Sequence, residues 1–249
     1  MISEKKKQTI KFISAISILI LLFIFVVIMM IKYQVEGETN MPFELSKVVV
    51  IGTVEGIEIE NEEDKAKWNL EIAQNNDIYF YISQNENNTT DELIKSIKID
   101  NIEIVNAPQK GSIETYMPNS EPGRLFSDDK QFLVEDKLEY KGASQSSSTN
   151  LEIGSKGGTA LIRFCNSNIG TYTSDKDKEI VHNSSLLQKI ETKNEEIKFT
   201  VSFDFTIETT KMKYKANVSL QLPSGSLDEE ENCYLEKTDM SDIVFKRVK

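Results

Sequence analysis

Residues 12–31 form an unbroken run without a single charge, closed by Lys11 on one side and Lys32 on the other. A helix rises about 1.5 Å per residue, so a run of this length covers the roughly 30 Å hydrocarbon layer of a bilayer. Ser14 and Ser17 are its only polar side chains, and each hydroxyl can bond back to a carbonyl one turn earlier. A soluble helix needs one apolar face, whereas this one is apolar on all of them. The run predicts a transmembrane helix over 12–31, with the lipid bilayer as its partner.

A cleaved signal peptide has a shorter apolar region and small residues at its cleavage site. Here the exit reads Met29-Met30-Ile31-Lys32-Tyr33-Gln34-Val35, without that pattern, and the span reads as an uncleaved signal-anchor. Lys5, Lys6, Lys7 and Lys11 precede it against Glu4 alone, while Glu36 and Glu38 follow it. Basic flanks stay inside. Residues 1–11 are then a cytoplasmic tail, 32–46 a juxtamembrane stalk, and 47–249 an extracytoplasmic domain. A subdivision is expected near 107–123, where Pro108, Pro118 and Pro122 fall.

The whole chain carries a net charge of −11, and beyond residue 33 it keeps 24 basic against 39 acidic side chains, near −15. Such a surface repels phosphate backbones, and no basic stripe with interleaved aromatics offsets it, so nucleic acid is not an expected partner. Cys165 and Cys233 both lie beyond the span and permit one disulfide. Sequence leaves the bonded and free states both open.

The clearest β signal is late. Ile197, Phe199, Val201, Phe203, Phe205 and Ile207 alternate with polar residues, and the alternation resumes at Met212, Tyr214, Ala216, Val218, Leu220 and Leu222. This predicts a long antiparallel hairpin with one buried face, its Asp204 and Glu208 set against lysines of the second strand. Residues 47–51 are continuously β-branched, as in a strand buried on both faces. Trp68, Leu70 and Ile72, then Ile78, Phe80 and Ile82, flank Gln74-Asn75-Asn76-Asp77, which reads as a hairpin with a polar turn. Residues 159–164 and 169–172 read as another around Asn166-Ser167-Asn168. Ile97, Ile99, Ile102 and Ile104 change register at Asp100-Asn101, predicting a β-bulge.

Minor elements complete the expectation. Thr89 and Glu92 spell a capping box before a helical turn, and Ser184 or Ser185 caps a short helix bearing Leu186, Leu187 and Ile190. Short strands are expected over 132–134, 138–140 and 243–248. The fold class is mainly β: a transmembrane helix followed by an antiparallel β-sandwich, jelly-roll or immunoglobulin-like.

Few residues point to chemistry. One histidine, His182, with two distant cysteines cannot build the usual zinc sites, so no metal is expected. No serine sits in a G-x-S-x-G elbow, and no catalytic residues or cofactor are expected. Gly154-Ser155-Lys156-Gly157-Gly158-Thr159 lacks the order of a phosphate loop and reads as a turn. In Asp175-Lys176-Asp177-Lys178-Glu179 the interposed lysines oppose a cation, giving a solvated loop. Asn87, Asn88, Asn183 and Asn217 each open an N-x-[ST] triplet, a surface site in a glycosylating host. Trp68, Tyr79 and Tyr81 are the candidate ligand-binding residues, as an aromatic platform for a sugar ring. Core and cross-strand packing is their competing role.

The anchor, the Gly157-Gly158 strand opening, Asn168-Ile169-Gly170-Thr171-Tyr172 and the ending Asp242-Ile243-Val244-Phe245-Lys246-Arg247 together resemble uncharacterised single-pass exported β-rich proteins of low-GC Gram-positive bacteria. That resemblance implies an envelope location and carries no activity. Residues 97–104, Ile-Lys-Ile-Asp-Asn-Ile-Glu-Ile, are similar to the I-D-N-I strand of jelly-roll carbohydrate-binding modules, without placing that family's ligand residues. The leading expectation is a non-enzymatic, membrane-anchored extracytoplasmic binding or interaction module of the cell envelope, with an envelope protein as partner. The alternative is a module binding cell-wall glycan. The third is a hydrolase with two carboxylates roughly 5–10 Å apart.

Overall fold

The computed structural model describes residues 4–36, 41–59, 66–86, 91–118, 126, 137–145, 151–225, 227 and 232–248. Its first element, α1 (Glu4–Glu36), contains Phe12–Met30, a stretch long and apolar enough to cross a membrane, with mean hydropathy 3.2. Ser17 Oγ donates to the Ile13 carbonyl at 2.9 Å, so the hydroxyl is satisfied within the helix.

The strands assemble into two sheets. The first holds, in spatial order, β10 (Cys233–Lys237), β1 (Phe43–Glu58), β2 (Lys67–Gln84), β7 (Gly158–Asp175) and β4 (Ser112–Tyr116), antiparallel throughout. The second holds β11 (Lys246–Val248), β9 (Lys213–Leu222), β8 (Phe199–Thr209), β3 (Ile94–Asn106), β5 (Leu138–Gly142) and β6 (Leu151–Ile153), with β5 and β6 parallel. Two short helices, α2 (Ser185–Lys189) and α3 (Asn194–Ile197), connect β7 to β8.

The inner faces of both sheets share one apolar core. Val50, Ile78, Phe80 and Phe164 of the first sheet meet Ile97, Ile99, Phe203 and Phe205 of the second. Phe80 lies edge-on to Phe203 at 5.7 Å and tilted against Phe205 at 4.9 Å. Such pairs add about 0.5–1.5 kcal/mol beyond their buried area. The Tyr140 hydroxyl donates to the Leu161 carbonyl at 2.7 Å and accepts the Leu161 N–H at 2.8 Å. It thereby pairs backbone groups on the β7 edge where β4 does not reach.

The hairpin over 197–222 forms as expected. Phe203 faces Val218 and Glu208 faces Lys213, but Asp204 faces Asn217 and reaches Lys215 only diagonally, Ile197 ends α3 and Met212 sits in the connection. The bulge in β3 is also present, as a register shift between Asp100 and Glu103 with Asn101 at φ 52°. Val48, Val49 and Val50 are buried on both faces, and the glycine segment at 154–158 is the turn between β6 and β7.

The two earlier hairpins are corrected: β2 and β7 are each one strand of 18 residues. Gln74, Asn75, Asn76 and Asp77 are at most 8 % exposed. Their polar groups find partners within the sheet. The Gln74 and Asn76 amides exchange hydrogen bonds at 2.9 and 2.8 Å, Asn75 donates to Glu55 at 2.6 Å, and Asp77 receives Arg163. A polar run is compatible with a strand interior when its neighbours satisfy it. Around Asn166–Ser167–Asn168 the register of β7 against β2 shifts and Asn168 takes φ 56°, so the expected turn is a bulge within a continuous strand.

Other boundaries move as well. Met41, Phe43 and Leu45 are buried in the shared core, so the folded part begins inside the segment expected to be a stalk. Residues 91–93 are not helical, and the buried Glu92 carboxylate accepts the Thr209 hydroxyl at 2.6 Å. Ser184 holds the N-cap position of α2 as expected, but without a side-chain capping bond; Asn183 Oδ1 instead accepts the Ser185 N–H at 3.0 Å and its hydroxyl at 2.6 Å. Asn87, Asn88, Thr89 and the strand expected over 132–134 lie outside the described residues.

Gln74, Asn76 and Asn166 form a buried polar belt across the inner face of the first sheet. Beyond it lies a second apolar cluster in which Val54, Leu70, Ile72 and Ile169 pack against Leu186, Leu187 and Ile197 of the connecting helices. The long strands thus outreach the second sheet, and α2 and α3 cover their far end.

Candidate functional site

The far end of the first sheet is where β1 closes at Glu58 and β2 opens at Lys67. Among the described residues β10 pairs with β1 only over residues 48–52, short of that strand's far edge. His182 covers that edge, its Nδ1 accepting the Gly56 N–H at 3.2 Å. A neutral imidazole in that role carries its proton on Nε2.

Next to His182 is a cavity of about 530 Å³ whose lining includes Glu58, Trp68, Lys176, Asp177, Glu179 and Ile180. The turn after β7 brings these groups together. The Lys176 N–H bonds the Ala66 carbonyl at 3.0 Å and the Lys178 N–H bonds the Asp175 carbonyl at 3.1 Å, folding the chain back over the start of β2. Half-buried Trp68 packs against the second apolar cluster. Lys176 Nζ stands over the indole, 4.6 Å from the ring centroid, and 3.4 Å from Glu58 Oε1. Lys178 and Asp175 pair at 2.9 Å, and this hydrogen bond lowers the aspartate pKa and raises that of the lysine. Ile57, Ile59 and Val181 are three of the seven exposed large apolar side chains outside α1 among the described residues, but none of them lines the cavity, and alternation along β1 puts Ile57 on the face opposite Gly56 and Glu58.

Tyr79 and Tyr81 are elsewhere. Trp68 shares the inner face of β2 with Leu70 and Ile72, and the strand alternation puts both tyrosines on the outer face. They lie at least 11 residues on, roughly 36 Å at a strand rise of 3.3 Å. The three aromatics form no single platform. Lys47 Nζ lies 4.6 Å from the Tyr81 ring. Burial, with Asp77 nearby, raises the Tyr79 pKa. On the same face Arg163 makes two hydrogen bonds to Asp77, at 2.5 and 2.9 Å, and stacks 3.9 Å from the Phe126 ring. Burial opposes the guanidinium charge, but the Asp77 carboxylate prevails and raises the Arg163 pKa.

Cys165 and Cys233 are both buried and are not joined in a disulfide. They sit on β7 and β10 with β2 and β1 between, about 14 Å at three strand spacings of 4.8 Å. A disulfide needs Cβ atoms about 4 Å apart, so the bonded reading is set aside. The Cys233 thiol donates to the Ser224 carbonyl, and burial raises its pKa. A thiol of that kind is a structural group, not a nucleophile.

No group of three His, Cys, Asp or Glu side chains that could hold a metal exists among the described residues. Among the described residues the cavity lining contains no Ser, Thr or Cys, and His182 Nδ1 accepts from the backbone. What the cavity offers is an aromatic wall, carboxylates and two lysine ammonium groups, one of them seated on the indole. Sequence singled out Trp68, His182 and residues 175–179 separately. Glu58 and the seat of Lys176 carried no local signal. No family model, curated protein or solved structure matches the chain.

Proposed function

We propose that the chain is a single-pass membrane protein whose extracytoplasmic part is a β-sandwich acting as a binding module of the cell envelope, not as an enzyme. The cavity around Trp68 is its ligand site. Phe12–Met30 supplies the span, and the lysines before it favour a cytoplasmic N-terminus. The position of the cavity carries the reading. β1 receives the chain from the anchor at Phe43, and Glu58 ends the same strand 15 residues later, about 50 Å away. A site with an aromatic wall at the end farthest along β1 from the anchor suits capture of an envelope component.

The topology half of this reading has a direct test. Thr173 is exposed at the cavity end of β7, and both native thiols are buried. A Thr173→Cys variant should therefore react with a membrane-impermeant maleimide on intact cells over a low background. It should also stay in the membrane fraction, and deletion of Phe12–Met30 should release it. Labelling that requires permeabilised cells would overturn the proposed orientation.

A further inference from the structure

We infer that the Trp68 cavity recognises a primary ammonium group, and that Lys176 is a built-in occupant which an incoming ligand displaces. The inference rests on the reading of this cavity as the ligand site and names the chemistry of the ligand.

The seat is visible because Lys176 fills it. Its Nζ lies 4.6 Å from the Trp68 centroid and 3.4 Å from Glu58 Oε1. An indole face beside a carboxylate is the environment that an ammonium prefers, since the ring quadrupole and the charge both attract it. Asp177 and Glu179 line the same cavity, and Lys178 is drawn to Asp175. With Lys176 swung out, the seat keeps the indole face and the Glu58 carboxylate, and the surrounding cavity holds the Asp177 and Glu179 carboxylates against one further ammonium, Lys178, which pairs with Asp175. The side chains of Lys176 and Glu58 are 40 % and 52 % exposed, and exposed pairs of this kind are weak enough to open.

The other ligand chemistries fit less well. An anion would have to approach Glu58, Asp177 and Glu179, while the two lysines of the lining, Lys176 and Lys178, already pair with Glu58 and Asp175. A neutral sugar would have to stack on an indole that an ammonium already covers. A ligand ammonium replaces Lys176 like for like, and the acidic exported surface raises the local concentration of cations. The ammonium can come from a lysine-bearing peptide or from an amino sugar.

The sole tryptophan reports on the site. Full-length protein in detergent micelles would be titrated at about 0.15 M salt, where long-range attraction is largely screened. The probes are tri-lysine, the trimer of glucosamine, and the N-acetylated form of each. The expected result is a saturable change in Trp68 emission with an amine form and none with its acetylated counterpart. The responding amine identifies the source, peptide or sugar. Lys176→Met should tighten that binding about tenfold, because the self-occupied fraction no longer lowers the apparent affinity. Glu58→Gln should weaken it about tenfold by removing the charge-assisted partner. Equal binding of an acetylated form, or weaker binding by Lys176→Met, would overturn the ammonium assignment and leave the cavity a ligand site. No response to any probe in either protein would overturn the assignment. If wall binding then also proved independent of Trp68, the site reading would fall with it.

Discussion

The two sheets share a core but distribute their polar groups in opposite ways. The second sheet keeps its charges outside. Lys141, Glu139, Lys98, Glu208 and Lys213 form a ladder across β5, β3, β8 and β9 with N–O separations of 2.8 to 3.6 Å, and Asp204 meets Lys215 at 2.7 Å. The first sheet buries polar groups on both its faces, with Gln74 and Asn76 inward and Asp77 with Arg163 outward. An outward ladder leaves every second position apolar, whereas the buried polar groups of the first sheet depend on one another, Gln74 on Asn76 two residues on and Asp77 on Arg163 of the neighbouring strand. One sheet tolerates the loss of a charge. The other should not.

The shared core gives the reference and the largest effect. Phe203→Ala should lower stability by about 3–5 kcal/mol, because the ring contacts both sheets and a cavity would remain. The urea midpoint of tryptophan emission would measure it. Next comes the buried ion pair. Asp77→Ala should cost roughly 3 kcal/mol by leaving the Arg163 guanidinium partly buried and alone. The double variant Asp77→Leu with Arg163→Met should recover much of that loss. If Asp77→Ala were as mild as removing a surface charge, the contrast between the sheets would fail. Gln74→Leu should cost about 1–3 kcal/mol, since it strands one end of the Asn76 amide.

The smallest effect belongs to the ladder of the second sheet. Burial raises the Asp204 pKa, but hydrogen bonds from Lys215, Asn101 and Asn217 outweigh it and hold the group below 3.8. Glu139 is likewise held below 4.5, with burial opposed first by the Lys141 hydrogen bond. Folded pKa values below the unfolded ones give stability that is complete above those unfolded values and lost as pH falls through the folded ones. Urea midpoints should therefore drop below about pH 4, and Asp204→Asn should flatten that limb by less than about 1 kcal/mol. A steeper limb in the variant would contradict the assignment.

The same contrast explains what the sequence disclosed. The 197–222 hairpin was legible because each partner pair is set by period-two alternation, down to Glu208 opposite Lys213. The bulge at Asp100-Asn101 was legible as a break in that period. β2 and β7 were misread because Gln74-Asn75-Asn76-Asp77 and Asn166-Ser167-Asn168 have turn composition, and their justification lies across strands. Arg163, which answers Asp77, is 86 positions away. The site follows the same rule. Alternation already put Trp68 and Tyr79 on opposite faces, but Gly56 meets His182 across 126 positions and no local pattern announces it. The cysteines had no pattern at all, and only strand order separates them.

The most direct test of the account is co-sedimentation of the full-length protein, in micelles, with purified cell-wall sacculi. Wild type, Trp68→Ala, Tyr79→Ala and Tyr81→Ala would be run side by side. A ligand site in the cavity at the end of the first sheet predicts pelleting by wild type and by both tyrosine variants, and its loss in Trp68→Ala. Pelleting that survives Trp68→Ala, that depends on the outer-face tyrosines, or that does not occur in wild type would contradict it.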